Sequence, residues 1–116
     1  MSDDQRQPQH QVMLTPGRVV ASALRQASRH ERALLACLSE LDGTTEPAPG
    51  LIRMTKRRTQ RHLERAAGLI RTAMRLNSDS TSDAFIAAML ERHERLALRV
   101  ERMLRAVTVC ALPAAS

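Results

Sequence analysis

Residues 80–110 read STSDAFIAAMLERHERLALRVERMLRAVTVC, and their periodicity decides the fold. Ile86, His93, Val100 and Val107 form one heptad line. Met89, Leu96, Met103 and Cys110 form a second, and Leu90, Ala97 and Leu104 a third. Apolar residues recurring every three to four positions place one oily stripe along an α-helix, whereas a strand would need strict alternation. Glu91 with Arg95 and Glu101 with Arg105 stand four apart in the order that suits a helix, each pair contributing a few tenths of a kcal/mol. Ser80 with Asp83 three residues on has the form of a capping box, and Pro113 is the expected stop.

The same period appears twice upstream. Thr15-Pro16-Gly17 offers a capping side chain followed by proline at the first helical position, where its missing N–H is not needed. Beyond it Val20, Ala27, Leu34 and Leu41 fall on one line, beside Ala23, His30 and Cys37, with Leu24 and Leu38 widening the stripe. Asp42-Gly43 is the expected end, with Gly43 in the left-handed conformation that closes many helices. A second Pro-Gly opening at Pro49-Gly50 starts the middle helix, which runs to about Leu76. Its second half carries an apolar stripe of Leu63, Ala66, Ala67, Ile70, Ala73 and Met74, but the first half, Thr55-Lys56-Arg57-Arg58-Thr59-Gln60-Arg61, puts polar residues even on the projected core line. Either this half protrudes from the bundle or the helix starts later, at Thr55.

The pattern predicts an all-α fold of three long amphipathic helices. Short connections favour an up-down-up bundle of residues 15–112, flanked by a polar tail over residues 1–14 and a short tail over 113–116. Phe85 is the only aromatic residue, so the core is thin in aromatic volume, and a six-helix dimer is one way to bury more surface. Leu35 and Leu98 fall off the stripes and are candidates for that contact.

Composition narrows the function classes. Cys37 and Cys110 stand alone, without the CxxC spacing of a metal or redox motif, and both fall on apolar stripes as small hydrophobes. The N-terminal residues MSDDQRQPQHQ lack the apolar region of a secretory signal, and no apolar run approaches the roughly 18 residues of a membrane span. The expectation is a cytoplasmic protein with no membrane partner. No Gly-rich phosphate loop, nucleophile motif or paired-carboxylate signature is present, so neither enzyme activity nor a cofactor is expected.

Two constellations remain. Arg29-His30-Glu31-Arg32, Arg61-His62-Leu63-Glu64-Arg65 and Arg92-His93-Glu94-Arg95 give one Arg-His motif per helix, hinting at an internal repeat of about 31 residues. In an up-down-up bundle the three histidines come to similar heights, within roughly 7 Å by the standard helical rise. The expectation is a polar layer in which they bond carboxylates such as Glu31, Glu64 or Glu94 from neighbouring helices and fix register. A metal or proton site at His30, His62 and His93 is the alternative, and no metal is assigned because neither Glu-x-x-His nor His-Glu-x-x-His occurs.

The second constellation is charge. The chain carries +6, and every basic residue but Lys56 is arginine, a usage that a GC-rich genome also writes. Residues 51–76 hold eight basic residues against Glu64 alone. Arg53, Lys56, Arg57, Arg58, Arg61 and Arg65 are therefore the candidate contacts to an acidic protein or to nucleic-acid phosphates. Long helices and the lack of Tyr and Trp speak against a helix-turn-helix reader or a base-stacking platform. The leading expectation is a non-enzymatic helical interaction module, such as an adaptor, a chaperone-like protein or a regulatory inhibitor, with a protein partner. Sequence-independent nucleic-acid binding through the middle helix is the second.

Overall fold

The computed structural model describes residues 15–111, with side chains to Val109, and so leaves the two expected tails and the proposed stop at Pro113 outside the described residues. It contains α1 (Pro16–Asp42), α2 (Pro49–Leu76) and α3 (Ser80–Ala111), with no strand among the described residues. The fold is all-α.

The helix ends differ from expectation in ways that follow from local hydrogen bonding. Thr15 flanks α1 in extended backbone but its side chain makes no cap bond; its carbonyl instead accepts from the N–H groups of Arg18 and Val19. Gly43 closes α1 in right-handed geometry, φ −76° and ψ −6°, rather than in the left-handed conformation. Its N–H bonds the Ser39 carbonyl, the Thr44 N–H bonds that of Leu41, and the Thr44 hydroxyl bonds that of Glu40, so a tightening last turn satisfies the orphan acceptors. The cap of α3 is Asp79, one residue before Ser80. Its Oδ1 accepts from the N–H and hydroxyl of Thr81 at 3.0 and 2.8 Å, and these bonds hold its carboxyl below the usual aspartate range. Asp83 accepts instead from the Asn77 amide at 2.7 Å.

Helix α2 neither protrudes nor starts late: it is continuous from Pro49, and Thr55 and Thr59 are buried on its core line. The hydroxyl of Thr59 bonds back to the carbonyls of Thr55 and Lys56 at 2.8 and 3.0 Å. Threonine thereby presents its methyl group to the neighbouring helix while its polar atom stays satisfied within its own.

Two core clusters set the topology. Val20, Ala23 and Ala27 of α1 meet Ala66, Ile70 and Ala73 of α2 and Ile86 and Met89 of α3. Leu34 and Leu38 of α1 meet Leu96 and Val100 of α3, with Leu63 of α2 against them. The first half of α1 thus lies beside the second half of α2 and the first half of α3, which is up-down-up. Alanines on the α1–α2 seam let those helices lie close over much of their length. Helix α3 rests mainly on α2 and approaches α1 at few points, leaving a groove between α1 and α3. Met74, expected on the stripe of α2, is half exposed, and Phe85 is 57% exposed, so no phenyl ring enters the described core. Leu35 and Leu98 are exposed, as their off-stripe positions imply. No described helix is long and apolar enough to cross a membrane.

Candidate functional site

All six candidate binding residues on α2, Arg53, Lys56, Arg57, Arg58, Arg61 and Arg65, are exposed, as are Arg71 and Arg75. The ion pairs among the described residues are Arg92–Glu31, Arg95–Glu91 and Arg105–Glu101, so none uses a basic residue of α2. Glu64, the one acid of that helix, takes a hydrogen bond from Gln60 at 3.3 Å. Arg53, Arg57, Arg61 and Arg65 recur every fourth position and form a ladder with about 6 Å of rise per rung on the side of α2 away from the core. Both helix pairs read from α3, Glu91–Arg95 and Glu101–Arg105, form, at 3.5 and 2.7 Å.

The three histidines do not form one layer. His30 and His62 meet across the α1–α2 seam with their Nδ1 atoms 2.9 Å apart and ring centroids 5.2 Å apart. His93 is buried on α3, and its Nδ1 has no hydrogen-bond partner. The expected histidine–carboxylate bonds are absent among the described residues. The reason is geometric: heptad position fixes the height of a residue along the bundle but not which seam it faces. His30 faces α2, whereas Glu31, the next residue, lies on the side of α1 towards α3. No group of three or more metal-ligating side chains forms among the described residues.

Electrostatics separate the two sites. Burial lowers the His62 pKa from its ordinary 6.5, and the charges of His30, Arg65, Arg61 and Arg58 lower it further. Burial likewise lowers that of His93; Glu31 and Glu94 oppose the shift, and Arg71 reinforces it. Both imidazoles are therefore held neutral at pH 7.

Glu31, expected as a carboxylate partner of a histidine, bonds Arg92 instead. It sits four residues after Ala27 and three before Leu34, squarely on the buried stripe, and that spacing was the available signal. Its Oε1 accepts from Arg92 Nη2 at 2.8 Å, tying α1 to α3, while its Oε2 is buried without a partner. The pair lies in the α1–α3 groove, a space of about 490 Å³ lined by Ser28, Arg32, Leu35, Arg92, Arg95, Leu96 and Arg99 as well as Glu31. Four arginines and two leucines make it a basic-walled apolar channel. Cys37 is half buried and free.

No protein-family model matches the chain, and no curated protein or solved structure is significantly similar to it.

Proposed function

We propose that this chain is a non-enzymatic helical interaction module, of the adaptor, chaperone-like or regulatory kind, acting in the cytoplasm on an acidic protein partner. The observation that carries this reading is the α1–α3 groove, in which Leu35 and Leu96 sit between Arg32, Arg92, Arg95 and Arg99. An amphipathic helix lays its apolar stripe into such a channel, and acidic flanks meet the arginines and speed encounter. The test is fluorescence anisotropy with a helical peptide of leucines flanked by glutamates, against the same peptide with lysines for glutamates. Binding of the acidic peptide alone, lost in the Arg32→Glu/Arg95→Glu/Arg99→Glu variant, supports the reading. Equal binding of both peptides, or of neither, removes it.

A specific observation favours a second reading, nucleic-acid binding: Arg53, Lys56, Arg57, Arg58, Arg61 and Arg65 are exposed and form no ion pair with another described residue. Phosphate contacts by such a row release counterions, so affinity for duplex DNA or RNA should fall with a log–log salt slope of about −0.9 per phosphate. Neutralising Arg57, Arg58 and Arg61 should flatten that slope. No binding at low salt eliminates this reading. Self-association belongs to the same proposal: Leu98 and Val109 are exposed 11 residues apart, about three turns, on one side of α3. Sedimentation velocity on the wild type and Leu98→Glu decides it.

A further inference from the structure

The side of α3 that faces away from the core carries an ordered stripe of its own. Ala87, Glu91, Glu94, Leu98, Arg102, Arg105 and Val109 are all exposed and follow one another at spacings of four, three, four, four, three and four. That averages about 3.7 residues per turn, close to the 3.6 of a straight helix, so the positions keep to one line along α3. Leu98, 52% exposed, is the centre of the line, and the two halves are opposites. Four and seven residues before it stand Glu94 and Glu91; four and seven after it stand Arg102 and Arg105. Eleven before is Ala87, and eleven after is Val109, itself 62% exposed.

A solvated helix face needs no such order. Glu91 and Arg105 form only exposed pairs within α3, with Arg95 and Glu101, and pairs of that kind contribute little. Glu94 and Arg102 form no ion pair with another described residue. A second α3 laid antiparallel, Leu98 against Leu98, sets Glu91 opposite Arg105 and Glu94 opposite Arg102, each twice because a two-fold axis relates the copies. A parallel copy in register would set glutamate on glutamate and arginine on arginine. The apolar ends match as well. Beside Ala87, Met74 of α2 is 49% exposed and edges a space of about 380 Å³, and Val109 of the antiparallel copy arrives at that end of the line.

We propose that two copies of this chain associate through an antiparallel α3–α3 contact, a symmetric interface centred on Leu98 and oriented by Glu91–Arg105 and Glu94–Arg102 pairs between copies. This gives a geometry to the self-association proposed above and rests on it; it does not depend on what the α1–α3 groove takes. The charges fix orientation and exclude the parallel pairing, while burial of Leu98, Val109 and Met74 supplies affinity.

The test is sedimentation velocity on the full chain, from low micromolar to submillimolar loading, for the wild type and three charge variants. Glu91→Arg/Glu94→Arg and Arg102→Glu/Arg105→Glu each give the line a single sign, and each should weaken the dimer about a hundredfold or more. Combining all four substitutions reverses both halves and restores opposite charges between antiparallel copies, so the quadruple variant should dimerise within about tenfold of the wild type. It also carries the repulsions within α3 of both double variants, so its recovery has to come from the contact between copies. A dimer in the wild type and the quadruple variant, with monomers in both doubles, supports the proposal. A wild-type dimer that Leu98→Glu disperses but neither double variant weakens overturns the antiparallel pairing and leaves self-association standing; a wild type that is monomeric throughout overturns both. Recovery in an equimolar mixture of the two doubles but not in the quadruple variant means a parallel pair and overturns the proposal, as does recovery in neither.

Discussion

Glu31 and Arg92 show why a buried carboxylate is not by itself a source of stability. The carboxylate side chain is 7% exposed and its partner guanidinium 55%, so nearly all the desolvation falls on the acid. Removing the arginine leaves a buried charge with no counter-ion; removing the acid leaves an arginine that water can solvate. Arg92→Ala should therefore cost about 2 to 3 kcal/mol in urea unfolding, whereas Glu31→Met should change stability by no more than about 1 kcal/mol either way. Equal losses in the two variants would contradict that asymmetry. Thr59 obeys the same accounting of polar atoms. Its hydroxyl bonds carbonyls that already serve the helix, so Thr59→Val orphans nothing, and unfolding should show stability within about 1 kcal/mol of wild type. A loss of several kcal/mol would mean that the hydroxyl has a role beyond its own helix.

At the scale of the element, α2 carries conflicting duties. It packs on both other helices, presents a ladder of like charges outward, and has Gly68 in its second half. A Cβ built at Gly68 meets nothing within 4 Å, so no packing requirement holds glycine there. Gly68→Ala should add about 1 kcal/mol through helix propensity, roughly 4 to 8 °C in thermal melts of a chain this size. An unchanged or lowered Tm would indicate a contact at that face, in the monomer or between copies. Asp79 illustrates how an element's start is set by hydrogen bonding: three side-chain or backbone donors from Thr81 and Ser82 converge on its carboxylate.

For the whole molecule, the neutral histidines make stability pH-dependent. His62 and His93 both have folded-state pKa values below the 6.5 of the free side chain, so the unfolded chain binds more protons as pH drops through that value. The stabilising effect is fully present above pH 6.5 and is lost as pH falls through the depressed folded values. Thermal melts between pH 8 and 5.5 should thus show Tm falling on the acid side of 6.5, above the range in which ordinary carboxylates titrate. His93→Gln should flatten that slope. A Tm constant across the interval would mean that both imidazoles accept protons in place. The open α1–α3 side has the same origin as the thin core. With Phe85 on the surface and alanines on the α1–α2 seam, the helices that lie close are those with small residues between them.

Periodicity alone was enough to determine three helices, their approximate ends, the buried faces of α1 and α3 and the exposed arginines of α2, because each depends on positions within one helix. What crosses between helices was not legible. His30 pairs with His62 and not with a carboxylate, Glu31 reaches Arg92, and Thr55 and Thr59 are core residues, because the rotation of each helix about its axis decides which side chains meet. Caps were half legible, since several adjacent Ser, Thr and Asp residues compete for the same N–H groups and only the geometry of the turn selects one. Local sequence sets a helix and its oily stripe through backbone sterics and side-chain spacing; the partners of its polar atoms are set by packing, which only the assembled bundle contains.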